Sequence, residues 1–255
     1  MSNAGPLTRT QRLLSNQPFC VFCGGNTLGS TVEHMPSRIL FNGKQRPKGL
    51  EFPACKRCND STRKAESVIA LLSRFYPDPA TDGERKDFNK LALAAERHNP
   101  GLADEMRTDQ LANLRRLGGA ALKLPTWNFL HVGGPICTRA VNLFGAKLAL
   151  ALHYEATQRI VPSGGVIVLN RFSNVDAFTD EHAIDALQMF GAGKTLQMGK
   201  FEVSNQFRYS SVHETETNSM SAHVAVFREA MALMMVVCHK TEDVPDSVSG
   251  HFTIV

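Results

Sequence analysis

The sequence has no apolar run longer than nine residues, Ala230 to Cys238, where a bilayer-spanning helix needs roughly 20. Nor does the N-terminus carry the apolar core of a signal peptide. A cytoplasmic protein with no membrane partner is the expectation. Ser2-Asn3-Ala4 has the look of a tag remnant, so residues 1–5 carry no structural weight. Internal repeats and low-complexity tracts are missing, which excludes solenoids and disordered scaffolds. Charge is also modest: 20% of residues are charged and the net charge is +4, against 43% apolar. That is the balance of an ordinary globular chain. Its 255 residues suit one large domain or two small ones, and two are expected. Cysteine is scarce at six residues, too few and too unevenly placed for a disulfide scaffold.

Four of those six form two Cys-x-x-Cys pairs, Cys20/Cys23 and Cys55/Cys58. Each such turn aims two thiolates at one point, and two turns make a tetrahedral sulfur site suited to structural Zn²⁺. Thiol–disulfide exchange is the competing use, weakened because thiolates held on zinc are not free nucleophiles. Cys137 and Cys238 stand alone and read as buried small hydrophobes. Charge is concentrated around the pairs. Residues 1–66 hold ten Lys/Arg against four acids, a net +6, which leaves −2 for the rest. Such a basic segment is the footprint of a polyanion binder, or simply a solvated face.

Read in order, residues 1–17 form an N-terminal arm with a short helix over Thr8 to Asn16, its Leu13 and Leu14 packing on the metal module. The module spans 18–76. Phe19 to Cys23 reads as a strand, Ser30 to His34 as a strand stopped by Pro36, and Leu50 to Phe52 as a second strand leading to Cys55. A helix then runs from Asn59 through Val68, Leu71, Leu72 and Phe75 to the Tyr76-Pro77 break. Residues 77–123 form a connector of two helices, the second spaced by Leu111, Leu114 and Leu117. From 124 to 255 the pattern is α+β. Asn128 to Val132 reads as a strand, Arg139 to Thr157 as a helix with Val141, Leu148, Leu152 and Tyr154 inward, and Gly165 to Leu169 as a strand. Asp180 to Phe190 reads as a helix. Phe201 to His213 and His223 to Cys238 read as an antiparallel sheet, with a helix over Arg228 to Leu233 as the alternative. His153, His213 and His223 have no ligand spacing and read as ordinary.

The pattern Cys-x-x-Cys, then Glu33-His34-x-Pro36, then Cys-x-x-Cys-Asn59 resembles the HNH (ββα-metal) endonucleases, in their zinc-stapled bacterial branch. The likeness covers about residues 18–75, and the C-terminal half carries a looser one in LALALHYEATQRIVP and QFRYSSVHET. The resemblance implies an α+β fold built on a ββα-metal module and a hydrolase that cuts DNA, as duplex, with one divalent ion and one histidine. His34 would be the general base. Glu33 and the Asn59 amide oxygen are hard donors suited to Mg²⁺ or Mn²⁺. Glu66 is a further ligand candidate, and Arg63 a phosphate holder sharing a helix face with Asn59 and Glu66. Arg38, Lys56, Arg57, Arg63 and Lys64 would grip phosphates without reading bases.

The chain departs from the family at Leu50, where the middle Asn that orients the histidine usually stands. A backbone carbonyl or Asn42 is expected to substitute. Asn59 as a helix N-cap and Glu66–Arg63 as a solvated ion pair remain the competing readings. A zinc-stapled nucleic-acid-binding module without catalysis is the alternative function, and a homodimer through the C-terminal half is an expectation no motif decides.

Overall fold

A computed structural model describes residues 6–76, 79–107, 132–173, 190–191 and 193–255. The fold is mixed α+β with antiparallel sheets. The readings of a second connector helix over Leu111 to Leu117, a strand from Asn128 and a helix over Asp180 to Phe190 lie outside the described residues.

Helix α1 (Arg9–Asn16) starts at Thr8, whose hydroxyl accepts from the Gln11 N–H while the Gln11 side chain returns to the Thr8 N–H. This reciprocal cap satisfies two otherwise orphaned donors. Strands β1 (Thr31–His34) and β2 (Glu51–Ala54) pair antiparallel, with His34 opposite Glu51 and Glu33 opposite Phe52. The expected strand at Phe19 to Cys23 reduces to a single bridge between Phe19 and Leu28, followed by a turn. The knuckle bends too sharply for a strand. Gly24 sits at φ +66, and a Cβ there would lie 2.5 Å from the Ser163 hydroxyl, so both the conformation and the space demand glycine.

The helix expected from Asn59 is two helices, α2 (Lys56–Asp60) and α3 (Arg63–Leu72), interrupted at Ser61-Thr62. Helix α2 begins earlier than expected because Cys55 caps it, its sulfur accepting the Cys58 N–H. Asn59 is therefore inside a helix, not an N-cap. Helix α3 ends at Leu72, four residues before Tyr76, and its Ala65 and Ser67–Leu72 are buried. Helix α4 (Asp82–His98) follows, capped by Thr81 and Glu84, and residues 102–107 are again helical.

Helix α5 (Pro135–Thr157) is the central element. It starts four residues before the expected Arg139 because Pro135 supplies a pre-set φ where its missing N–H costs nothing. By length and composition it is apolar enough to cross a membrane, but 67% of its most apolar window is buried within the protein. That is the pattern of a core helix. Helix α5 lies against a five-stranded antiparallel sheet of order β6-β7-β8-β3-β9: β3 (Val166–Ser173), β6 (Arg208–His213), β7 (Met220–Phe227), β8 (Met231–Cys238) and β9 (His251–Ile254). A two-residue pair, β4 (Gln197–Met198) and β5 (Phe201–Glu202), stands outside it. Close approach is possible because a Cβ at Gly145 would lie 2.7 Å from the Leu169 side chain. Arg228 to Leu233 is strand and turn, not helix: Phe227 pairs with Met231 and Arg228 takes φ 54 in the tight connection.

One hydrophobic cluster runs from the N-terminal module into this sheet. Its aromatic links are Phe22–Phe52 at 6.2 Å, Phe52–Tyr154 at 6.2 Å, Phe41–Phe207 at 6.5 Å and Phe207–Phe227 at 5.3 Å between centroids. Cys137 is fully buried in it, and Cys238 is fully buried as well.

Between α5 and the sheet lies a buried polar chain that spacing did not reveal. His153 Nδ1 is 2.7 Å from the Ser221 hydroxyl, which is 2.8 Å from His223 Nε2, while His223 Nδ1 is 2.8 Å from Ser211. His153 Nε2 is 3.1 Å from His239 Nε2. Burial, reinforced by the neighbouring imidazoles His239 and His213 for His153 and His153 and His213 for His223, pushes both pKa values down to about 3. The unfolded chain binds these protons near pH 6.5 and the folded chain does not, so stability is lost as pH falls from 6.5 toward 3. Each buried histidine is expected to contribute roughly 1.4 kcal/mol per pH unit within that window. Thermal melting measured from pH 7.5 to 5 tests this: the melting temperature should fall, and His223→Gln should flatten the slope. A slope unchanged by that substitution would remove His223 as its source.

Candidate metal centre and adjacent pocket

The loop after the Phe19–Leu28 bridge brings Cys20 and Cys23 against Cys55 and Cys58 at the start of α2. Their four sulfur atoms all lie within 4.8 Å of one another. Four sulfurs on one tetrahedral zinc stand about 3.8 Å apart for bonds of about 2.3 Å. The cluster is therefore close to ligand geometry, and none of the four is in a disulfide. The Phe22 N–H points at Cys20 Sγ (3.4 Å) and the Cys58 N–H at Cys55 Sγ (3.5 Å). Those donors favour thiolate sulfur. Hydrogen bonding from Cys58 holds the Cys20 thiol low, and the same contact pushes Cys58 up. Four thiolates this close repel one another unless a cation sits among them. These four residues could hold a metal ion such as zinc.

Beside this corner, a cavity of about 160 Å³ is lined by Val32, Glu33, His34, Ser37, Arg38, Asn59, Arg63 and Glu66. Five sequence-derived site residues, Glu33, His34, Asn59, Arg63 and Glu66, thus converge on one pocket, together with Arg38. Successive strand side chains point to opposite faces, and Glu33 and His34 obey this: Glu33 is buried, His34 half-exposed. Both reach the cavity because it opens at the end of β1. The Asn59 side-chain amine donates to the Thr31 hydroxyl (2.9 Å) and to the Val32 carbonyl (3.3 Å). A carbonyl only accepts, so the amine must face β1.

Glu33 carries a partner that the sequence reading missed. Lys147, in α5, reaches its Oε2 at 2.6 Å, and both side chains are almost wholly buried. Burial still pushes the Glu33 carboxyl up to about 7, against the pull of Lys147. Glu66 accepts from the Thr62 hydroxyl at 2.8 Å. The competing reading of an Arg63–Glu66 ion pair is not met: Arg63 bonds Asp60 at 2.8 Å. Lys56 also pairs with Asp60, at 3.1 Å. Lys56, Arg57 and Lys64 are exposed and do not line the cavity.

His34 has Glu51 Oε1 at 3.9 Å from its Nε2, too far for a hydrogen bond, and Glu51 Oε2 is bonded by Arg9 at 2.9 Å. Burial and the nearby Arg46 charge lower the His34 pKa, with Glu51 opposing, so the imidazole is neutral at neutral pH. Two candidates to replace the missing Asn, the Leu50 carbonyl and Asn42, are engaged elsewhere. The Leu50 carbonyl accepts from the Met35 N–H and Arg46, and Asn42 accepts from Arg228 while its N–H donates to Gln206. Leu50 itself is buried at φ 47. Arg46 donates to the carbonyls of Met35, Pro36, Pro47, Gly49 and Leu50, which pins the loop in that conformation.

A second cleft of about 290 Å³ shares Val32, His34 and Arg38 with the first and adds Arg9, Arg46 and Lys48 against the single acid Glu51. Arg9 and Lys48 are cations of this face that the sequence reading did not assign to phosphate. Their signal was only the +6 balance of residues 1–66.

No protein-family model matches the chain, and no curated protein or solved structure matches it significantly. Its chemistry rests on its own geometry. A thiol corner, a pocket with two carboxylates and a neutral imidazole, and a basic cleft lie side by side.

Proposed function

We propose that this chain is a metal-dependent endonuclease of HNH type that hydrolyses phosphodiester bonds in DNA. The observation that carries the reading is the convergence of His34, Glu33, Asn59 and Glu66 on one small cavity bordered by arginines. Phosphodiester hydrolysis needs a base for the attacking water and positive charge for the phosphate. The neutral His34 imidazole, open to solvent, accepts the water's proton. Arg38 and Arg63 neutralise phosphate oxygens at the rim, and the basic cleft with Arg9 and Lys48 continues the track for the backbone.

Glu33, Glu66 and the Asn59 amide oxygen form an oxygen donor set suited to Mg²⁺ or Mn²⁺, distinct from the sulfur site suited to Zn²⁺. When bound there, a divalent ion supplies charge that stabilises the leaving oxygen. The four cysteines tie the Cys20–Cys23 turn to the start of α2, so zinc at that corner is structural.

Plasmid DNA incubated with Mg²⁺ or Mn²⁺, against an EDTA control, tests the proposal. Nicked and linear products only with metal are expected. One observation favours a second reading, a nucleic-acid-binding module without catalysis: Glu33 is already neutralised by Lys147. Binding in a gel-shift assay with no metal-dependent cutting would establish that reading instead.

A further inference from the structure

A single ammonium from α5 touches the structural corner and one carboxylate of the pocket, and reaches the other carboxylate through a threonine. Lys147 Nζ donates to Glu33 Oε2 (2.6 Å), to the Cys58 carbonyl (2.7 Å) and to the Thr62 hydroxyl oxygen (2.9 Å). An ammonium has three donors and no acceptor, so these contacts saturate it. They also fix the direction of the next link. With the Thr62 oxygen accepting from Lys147, the Thr62 proton goes to Glu66 Oε1 at 2.8 Å. Thr62 is fully buried and Lys147 nearly so, and neither lines the cavity. Both carboxylates are thus each held at one oxygen by groups that do not line the cavity.

Charge neutralisation alone does not explain this arrangement. A lysine serving only as counter-ion to Glu33 has no need of Thr62, and a threonine filling space has no need to donate to Glu66. The relay exists because Thr62 is the N-cap of α3, and the break at Ser61-Thr62 turns its hydroxyl between the two charges.

We propose that Lys147 is a positioning residue of the pocket, acting on Glu33 directly and on Glu66 through Thr62, so that the core helix of the C-terminal half sets the geometry in which the pocket takes a divalent cation. This rests on the endonuclease reading only in assigning a divalent cation to the pocket. Groups that orient ligands from behind typically change metal affinity 10–100-fold when removed.

The test is Mn²⁺ titration followed by electron paramagnetic resonance, on zinc-loaded full-length protein without DNA. Thr62→Val keeps the side-chain shape and removes only the relay, and it is expected to weaken Mn²⁺ binding about tenfold. Lys147→Met is expected to weaken it at least as much and to lower the melting temperature, because it leaves Glu33 buried without a partner. Should Lys147→Met fail to fold, Thr62→Val carries the test alone. Zinc content, and DNA binding without added Mn²⁺ or Mg²⁺, should stay at the parent level in Thr62→Val, which a merely structural role for Thr62 would not separate from Mn²⁺ affinity. Parent-like Mn²⁺ affinity in Thr62→Val overturns the positioning role while leaving the endonuclease reading intact. A parent protein that takes no Mn²⁺ and cuts no DNA removes both.

Discussion

Cys58→Ser is expected to release the metal from the four-cysteine corner and to unfold the N-terminal module. Serine is a poor zinc ligand, and the three remaining sulfurs cannot close a tetrahedron. Structural zinc in small modules contributes apparent binding energies of about 10–16 kcal/mol, comparable to or larger than a whole domain's stability of about 5–15 kcal/mol. The first knuckle is an irregular turn with one bridge, Phe19 to Leu28, behind it, tied otherwise by a few contacts such as Val21 N–H to the Pro53 carbonyl and Phe22 on Phe52. The loss should spread, because Phe52 packs on Tyr154 of α5 and one hydrophobic cluster includes both halves. Metal content by mass spectrometry should fall from one zinc per chain to none, and melting should shift down and broaden. Chelation of the parent protein should reproduce the shift. Cys137→Ala, which alters a buried cysteine outside the cluster, is the control that should keep its zinc. Equal melting of Cys58→Ser and parent, with and without chelator, would show that the corner stabilises nothing.

What the sequence made legible was local. Two Cys-x-x-Cys turns, a β-branched run before Glu33-His34 and the apolar periodicity of α5 are each encoded within a few residues, and the structure places them as expected. The convergence of five candidate residues on one cavity was also foreseeable, because the strand and helix that carry them are tied together by the cysteines. The misreadings share a cause in tertiary override. Helical periodicity suggested one helix from Asn59, but the Cys55 cap starts α2 early and the chain restarts at Arg63, which pairs with Asp60, while Asn59, Arg63 and Glu66 still line one cavity. Lys147 was illegible for a different reason. It lies 114 positions from its partner, inside a run whose neighbours are core, and no pattern marks a lysine as belonging to a glutamate so far away. The histidine chain through Ser221 was hidden likewise, since its members come from α5 and two strands and only the sheet register brings them together.

His34→Ala is expected to lower metal-dependent cleavage by about 10²–10⁴-fold, the usual contribution of a positioned general base. The imidazole ends β1 on the solvent side, with its side chain 46% exposed, and makes no hydrogen bond to Glu51 at 3.9 Å. Its removal therefore opens no cavity in the core and orphans no buried donor, so melting should change by no more than about 0.5 kcal/mol, as for an ordinary surface substitution. Zinc content should be the same as the parent's. On the endonuclease reading His34 serves catalysis while the cations Arg9, Arg38 and Lys48 grip the backbone, so the variant should bind duplex DNA without added Mg²⁺ or Mn²⁺ as the parent does. That combination separates the endonuclease reading from the binding-module reading: the first requires that cutting and binding come apart at His34, while the second gives no cutting to lose. A variant that cuts as fast as the parent would mean that the water's proton goes elsewhere. Glu51, whose Oε1 lies 3.9 Å from His34 Nε2, is then the candidate, and Glu51→Gln in the His34→Ala background would decide whether it takes over.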